Sequence, residues 1–323
     1  MTKLRFSIGV VLLPVTIAFP VFLFPFTSPQ RTAVVQPLAT PTAFPLPTQV
    51  FPMIPPSDVV EPESFPPEIG ELVAETNHLL IHSKYGYFPV NRERFVLEAE
   101  EVFDYVSTRL QATADLKIPV LFEPPTPSPL GCPTRGATLT APVPDEDTVP
   151  IIIIYADTNT SHEQVLGVLA HEIGHALQYT GSKQRLGHTD LALNEGLATW
   201  AAGQYWNNWK GIADFDTGVR TYFEGAKYLS LHENYDLQIA YSGEHCLESR
   251  DILYSEWASF IDFLLSEYGV ERFEVLLGSP TIKEAELPTG TVMQFIPADF
   301  ESVYGLALNQ LEAMWLVHIN AQR

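Results

Sequence analysis

The chain has 323 residues, 46% of them hydrophobic, and a formal net charge of -21. That length suits one large domain or two small ones, with enough apolar content for a substantial core. So acidic a chain is a poor partner for DNA, RNA or an anionic membrane surface; its acids are spread over residues 58–310 without a long block, as on a solvated surface.

Lys3 and Arg5 precede an apolar run from Phe6 to Phe26. The run is long enough to cross a bilayer, but Pro14, Pro20 and Pro25 interrupt it. Residues 1–26 are therefore expected to be a signal peptide or a signal anchor, with the N-terminus cytoplasmic and the rest exported. The product is membrane-anchored if the segment is kept and secreted if it is cleaved. Residues 27–67 are dense in Pro and Thr, which suits an extended stalk or linker. A folded domain is expected over 68–323. The two cysteines, Cys132 and Cys246, belong to no CxxC pair, which argues against a thiolate zinc site. In an oxidising compartment they can form one intramolecular disulfide; two free buried thiols are the alternative.

Residues 78–83 read as a short strand. Residues 91–112 carry Phe95, Leu97, Val102, Phe103, Val106 and Leu110 at helical spacing. Residues 117–123 read as a strand leading into a Pro-rich loop, 124–148. The acidic run 145–148 in that loop suits solvation better than calcium. The isoleucine-rich run 149–157 reads as a strand. Ser161 is the expected N-cap of a helix over 162–180. Further helices are expected over about 190–207, 213–231, 251–268 and 299–320. Strands first and helices afterwards indicate an α+β domain.

The helix over 162–180 contains His171, Glu172 and His175 in the pattern HExxH. Positions four apart lie on one helix face, so both imidazoles can reach one metal ion. Glu172 points aside, within reach of a metal-bound water. The surrounding residues are apolar on most sides, so the helix is expected to be buried, and its polar triad then needs a compensating partner. Gly174 weakens the helix and signals close packing by a neighbour. A catalytic zinc takes three protein ligands and keeps one position open. Glu195, in the apolar stretch LALNEGLATW, is the expected third ligand, from a second helix folded back on the first. His162, His188, His232 and His245 read as surface or loop residues. Trp206 and Trp209 read as packing residues that could also line a cleft.

HEIGH followed by NEGLA resembles the gluzincin zinc metallopeptidases of the thermolysin and aminopeptidase type, and is especially similar to bacterial peptidase MA-like domains. The resemblance spans about 78–320 and is specific at 171–175 and 194–198. It implies a thermolysin-like zincin fold with a small N-terminal sheet and a mostly helical C-terminal part. It implies one Zn2+ ion on His171, His175 and Glu195, with Glu172 as general base in peptide hydrolysis. It also implies an edge strand above the cleft, matched by position to 149–156, that binds an extended peptide. Tyr254 is the expected oxyanion donor, with Tyr241 the weaker alternative. The chain departs from the pattern at Thr199, where thermolysin-like members often carry an acid that supports a histidine. No GxMEN signature precedes the helix, which favours an endopeptidase or a specialised substrate. The other class of function is a zinc-binding extracellular module without catalysis; intact Glu172 favours the enzyme. A zinc hydrolase for a non-peptide bond is a lesser third.

Overall fold

A computed structural model describes residues 69–321, apart from 85, 115, 126–130, 142–148, 181–189, 280–281, 288–289 and 296–297. The expected leader (1–26) and stalk (27–67) lie outside the described residues, as do His188 and the acidic run 145–148. No helix among the described residues is long and apolar enough to cross a membrane. The architecture is α+β, a five-stranded sheet followed by a mostly helical remainder.

Strands β1 (Glu71–Glu75) and β2 (Leu79–Ser83) pair antiparallel. Helix α1 (Arg92–Leu110) connects β2 to β3 (Ile118–Glu123), which runs parallel to β2. Then come β4 (Gly136–Ala141) and β5 (Val149–Tyr155), in the sheet order β1-β2-β3-β5-β4. β5 is thus internal, parallel to β3 and antiparallel to β4. Ile151 to Ile154 are all buried, because an inner strand covered on both faces needs apolar residues at every position. This corrects the expectation that 149–156 forms the edge. The edge is β4, inside the stretch read as a loop. An edge strand need not carry an apolar run, and turn residues flank this one, so it left little pattern to read.

Helix α2 (His162–Thr180) begins as expected, the Ser161 hydroxyl accepting the Gln164 N–H at 3.1 Å. From Val165 to Gln178 every residue is buried. Helix α3 (Leu191–Lys210) is capped by the Asp190 carboxylate, which accepts the Ala192 and Leu193 amides. A Cβ on Gly174 would lie 2.9 Å from the Ala198 Cα, so glycine lets α2 and α3 meet backbone to backbone. Near its end α3 kinks at Gly203 (φ 44°), and the Tyr105 hydroxyl accepts the Gln204 N–H there.

Helices α4 (Phe215–Glu224), α5 (Gln238–Tyr241), α6 (Cys246–Tyr268) and α7 (Val270–Leu277) follow. A hairpin of β6 (Ile282–Leu287) and β7 (Gly290–Phe295) precedes α8 (Phe300–Tyr304) and α9 (Leu308–Ala321). The helix expected over 213–231 ends early, at Gly225, and that expected over 299–320 breaks at Gly305 (φ 75°). Gly196 repeats the close approach on the other side of α3: a Cβ there would lie 2.7 Å from the Trp257 Cβ of α6. Small residues thus let α3 sit tightly between α2 and α6.

Cys132 and Cys246 form the expected disulfide, with Cα atoms 5.9 Å apart. It ties the loop before β4 to the first residue of α6. The chain-entropy model gives a closed loop of this size about 4–5 kcal/mol of stabilisation.

Candidate metal centre

Helix α2 carries His171 and His175 one turn apart, and the first turns of α3 present Glu195 to both. The two Nε2 atoms are 3.0 Å apart. Glu195 Oε2 lies 3.1 Å from His171 Nε2 and 3.3 Å from His175 Nε2. Donors bound at 2.0–2.2 Å to one tetrahedral ion lie about 3.4 Å apart. The triangle is within a few tenths of an ångström of that spacing, and two imidazoles with a carboxylate are a zinc-type donor set. The side chains fit one such ion.

Thr199, one turn after Glu195, sets the ring of His171. Its hydroxyl donates to the Glu195 carbonyl at 2.9 Å, so the oxygen, 3.1 Å from His171 Nδ1, accepts from that nitrogen. His171 then holds its proton on Nδ1 and turns the Nε2 lone pair toward the other two donors. Thr199, noted in the sequence as a departure from the pattern it resembles, thus orients His171 with a hydroxyl in place of an acid.

Electrostatics agree with a cation-seeking centre. Burial works against the Glu195 carboxylate, but His175 and His171 outweigh it and hold the group well below the usual carboxylate range. Burial likewise works against a charged His175, but the Glu195 carboxylate, with Glu172 behind it, raises that ring to about 9. The arrangement draws in positive charge, either a proton on His175 or a divalent cation touching all three side chains.

Glu172 sits beside the triangle and is 5% exposed. Burial pushes its carboxyl up, against the pull of both histidines. The Thr138 hydroxyl of β4 reaches Oε2 at 2.8 Å and the Glu172 carbonyl at 3.0 Å, fixing the carboxylate under the edge strand. Gly136 completes the fit, since a Cβ there would lie 2.5 Å from Glu172 Oε1. The edge strand can pass over the acid only with glycine at that position.

Tyr254 and Tyr241 both line the cleft. The Tyr254 ring stacks on His171 at 5.5 Å between centroids. Its hydroxyl is 2.8 Å from that of Tyr241, which in turn donates to Glu195 Oε1 at 3.1 Å. Tyr241, the weaker sequence candidate, is therefore the one whose hydroxyl bonds to a candidate ligand, whereas the Tyr254 hydroxyl reaches the centre through it and its ring packs on His171. Burial, then the nearby Glu195, raises both phenols above their ordinary value, so both stay protonated donors.

The cleft over the centre has a volume of ≈ 290 Å³. Trp206 and Trp209 line it as well as pack. Of the other histidines, His162 pairs with Glu98 and His232 with Glu312, and neither joins the triangle. The described residues hold one further His/acid group, His78, Glu100 and Asp104. There His78 Nδ1 already pairs with Glu100 at 2.6 Å, and its ring stacks on Phe103.

Sequence reasoning missed Thr138, Gly136 and Arg135 because all three belong to the unrecognised edge strand or its approach. The alternation of apolar Ala137, Leu139 and Ala141 with the threonines at 138 and 140 in GATLTA was the available, short signal. No family model matches this chain, and neither do any curated proteins or solved structures.

Proposed function

We propose that the chain is a zinc-dependent peptidase of thermolysin-like, gluzincin type, exported and either secreted or held at the membrane by its N-terminal segment. The observation that carries this reading is the triangle of His171 Nε2, His175 Nε2 and Glu195 Oε2 with a separate, immobilised carboxylate, Glu172, beside it under a sheet edge. A binding module needs the three ligands but not the fourth group. The disulfide suits an oxidising compartment and supports export.

When bound, zinc supplies a Lewis acid to a water molecule and to the scissile carbonyl. Glu172 takes a proton from that water as its oxygen attacks the carbonyl carbon. It then delivers the proton to the amide nitrogen as the C–N bond breaks, leaving a carboxylate and an amine. Its raised pKa brings the carboxyl closer to neutrality, which suits a group that must both accept and return a proton. Tyr241 and Tyr254 supply O–H groups that line the cleft beside the ligands and are the candidates for the developing oxyanion. β4, with its outer edge unpaired among the described residues, offers main-chain groups to an extended peptide.

Metal analysis of the purified chain should give one zinc per molecule, and a broad peptide-library digest should give defined cleavages. Glu172→Ala should lower the rate roughly 10²–10⁴-fold with zinc content unchanged. Zinc binding without cleavage of any library member would leave the catalytically inactive module as the reading.

A further inference from the structure

The metal centre acts on any peptide bond brought to it, so choice among peptides falls to the rest of the cleft. Rings in contact lead away from His171. Trp206 lies 5.7 Å from the His171 ring, and Trp209 lies 5.0 Å from Trp206. The Arg135 guanidinium sits 4.9 Å above Trp209. Arg135 directly precedes Gly136, lines the cleft, and keeps 21% of its side chain exposed.

The charges here do not balance. Arg135 forks onto Asp251, at 2.5 Å and 3.2 Å. Lys210 Nζ lies 2.7 Å from the same carboxylate and 3.3 Å from the centre of the Trp209 ring. Arg250 lines the same cleft and donates to the Ala240 and Pro133 carbonyls and to Cys132 Sγ. Among the described residues it pairs with no carboxylate. Arg135 and Lys210 thus share one acid, Asp251, and Arg250 lines the cleft without a carboxylate partner among the described residues, in a chain whose net charge is -21. Lys210 registers the crowding: burial, with the Arg135 charge adding to it, lowers its pKa to about 8 against the pull of Asp251. A guanidinium has five N–H donors, and the Asp251 fork engages two. Apart from Glu172 and Glu195 at the triangle, the cationic groups around Asp251 outnumber it, and in a partly desolvated cleft that local excess attracts an anion; the geometry of the fork favours a carboxylate.

We infer that the Arg135 end of the cleft binds a carboxylate of the substrate, so that the preferred peptides carry either a free C-terminus or an Asp or Glu side chain there, with an apolar body lying on Trp206 and Trp209. The inference rests on the peptidase reading and names its substrate class.

The test uses the zinc-loaded full chain carrying Glu172→Gln, so that bound peptides persist. Tryptophan fluorescence follows the binding of random octapeptide mixtures in two matched pairs, free acid against C-terminal amide, and Glu-containing against Gln-containing. One pair should show about tenfold tighter binding of its carboxylate member. Which pair does so identifies the source of the carboxylate. Adding Arg135→Gln should reduce that ratio to less than about twofold, and Arg135→Lys should leave an intermediate one. In the parent protein the ratio should also shrink as salt rises from about 0.05 to about 0.5 M, a readout that survives even if Arg135→Gln does not fold. Equal binding within both pairs, a ratio indifferent to salt or to a folded Arg135→Gln, or no binding of any peptide overturns the inference. Arg135-dependent binding without cleavage by the Glu172 protein overturns the peptidase reading alone. Cleavage without carboxylate preference overturns this inference alone.

Discussion

Two clusters of buried acids sit in the helical part of the molecule, and they have opposite chemistry. At the candidate metal centre, Glu195 faces the ring nitrogens of His171 and His175. Beneath the 228–232 segment, Glu312 of α9 faces donors supplied by the fold. Its carboxylate accepts the Tyr228 hydroxyl, the Leu231 N–H at 2.7 Å, and the His232 N–H and Nδ1 at 3.3 and 2.6 Å. Both acids lie in apolar helical stretches, NEGLA and LEAMW, so burial of a lone acid does not distinguish them. Their partners do. Glu312 is complete within the protein. Neutral imidazole nitrogens offer lone pairs, as the carboxylate does, and such a set is completed by a cation. Glu256 marks a third outcome. Among the described residues it accepts only the Leu229 N–H, at 3.1 Å, and its Oε2 has no partner there, so burial pushes its carboxyl well above the usual range.

Crossed substitutions test that comparison most severely. Glu312→Ala should destabilise the fold by about 3 kcal/mol, because buried donors lose a charged acceptor, and should leave zinc at one per chain. Equilibrium denaturation and metal analysis read both quantities. Glu195→Ala should do the reverse, lowering zinc affinity more than about 100-fold, beyond the 10–100-fold effect of outer-shell changes. Competition against a chelating dye measures it. If Glu312→Ala strips the metal, or Glu195→Ala leaves its affinity intact, the division between the clusters fails.

Thr199→Val probes the orienting contact with a smaller effect. It keeps the side-chain shape and removes the acceptor for His171 Nδ1, so zinc affinity should fall roughly 10–100-fold. An unchanged affinity would mean that packing alone fixes the His171 ring.

The smallest effects are in the pH dependence of stability, and the two distal acids should contribute with opposite sign. Burial opposes the Glu312 charge, but its donors hold its folded pKa below the ordinary carboxylate value. It therefore stabilises the fold above the unfolded carboxylate range, and that contribution disappears as pH falls through the folded value. Glu312→Gln should flatten the acid limb of a plot of Tm against pH. Glu256 has a raised folded pKa, so above 4.5 the unfolded chain releases a proton that the folded chain retains. Stability then declines as pH rises through that window, and Glu256→Gln should raise Tm at neutral pH. Parallel shifts in the two variants would contradict the assignment.

The HEIGH spacing, the Ser161 cap, the apolar surroundings of α2 and the packing role of Gly174 follow from helical periodicity and local hydrogen bonding, and all were legible in the sequence. Glu195 was legible as an acid in an apolar stretch, yet Glu312 meets the same criterion. Only their neighbours in space, two converging imidazole Nε2 atoms for one and a set of O–H and N–H donors supplied by the 228–232 segment for the other, set them apart. The edge strand was hidden for a related reason. β4 is short and half polar, and it becomes a strand by pairing with β5, a contact that no local pattern encodes. With it went Thr138, which steadies Glu172, and Arg135, which joins Lys210 on Asp251 from three separate parts of the chain. The breaks at Gly225 and Gly305 were visible as glycines but not as ends, since helix continuation there depends on what packs beyond. By itself the sequence placed His171, Glu172 and His175 together, because little more than one helix turn carries all three. The tertiary structure decided which distant acid, hydroxyl and cation meet them, because packing between elements, not spacing along one element, brings those groups within bonding distance.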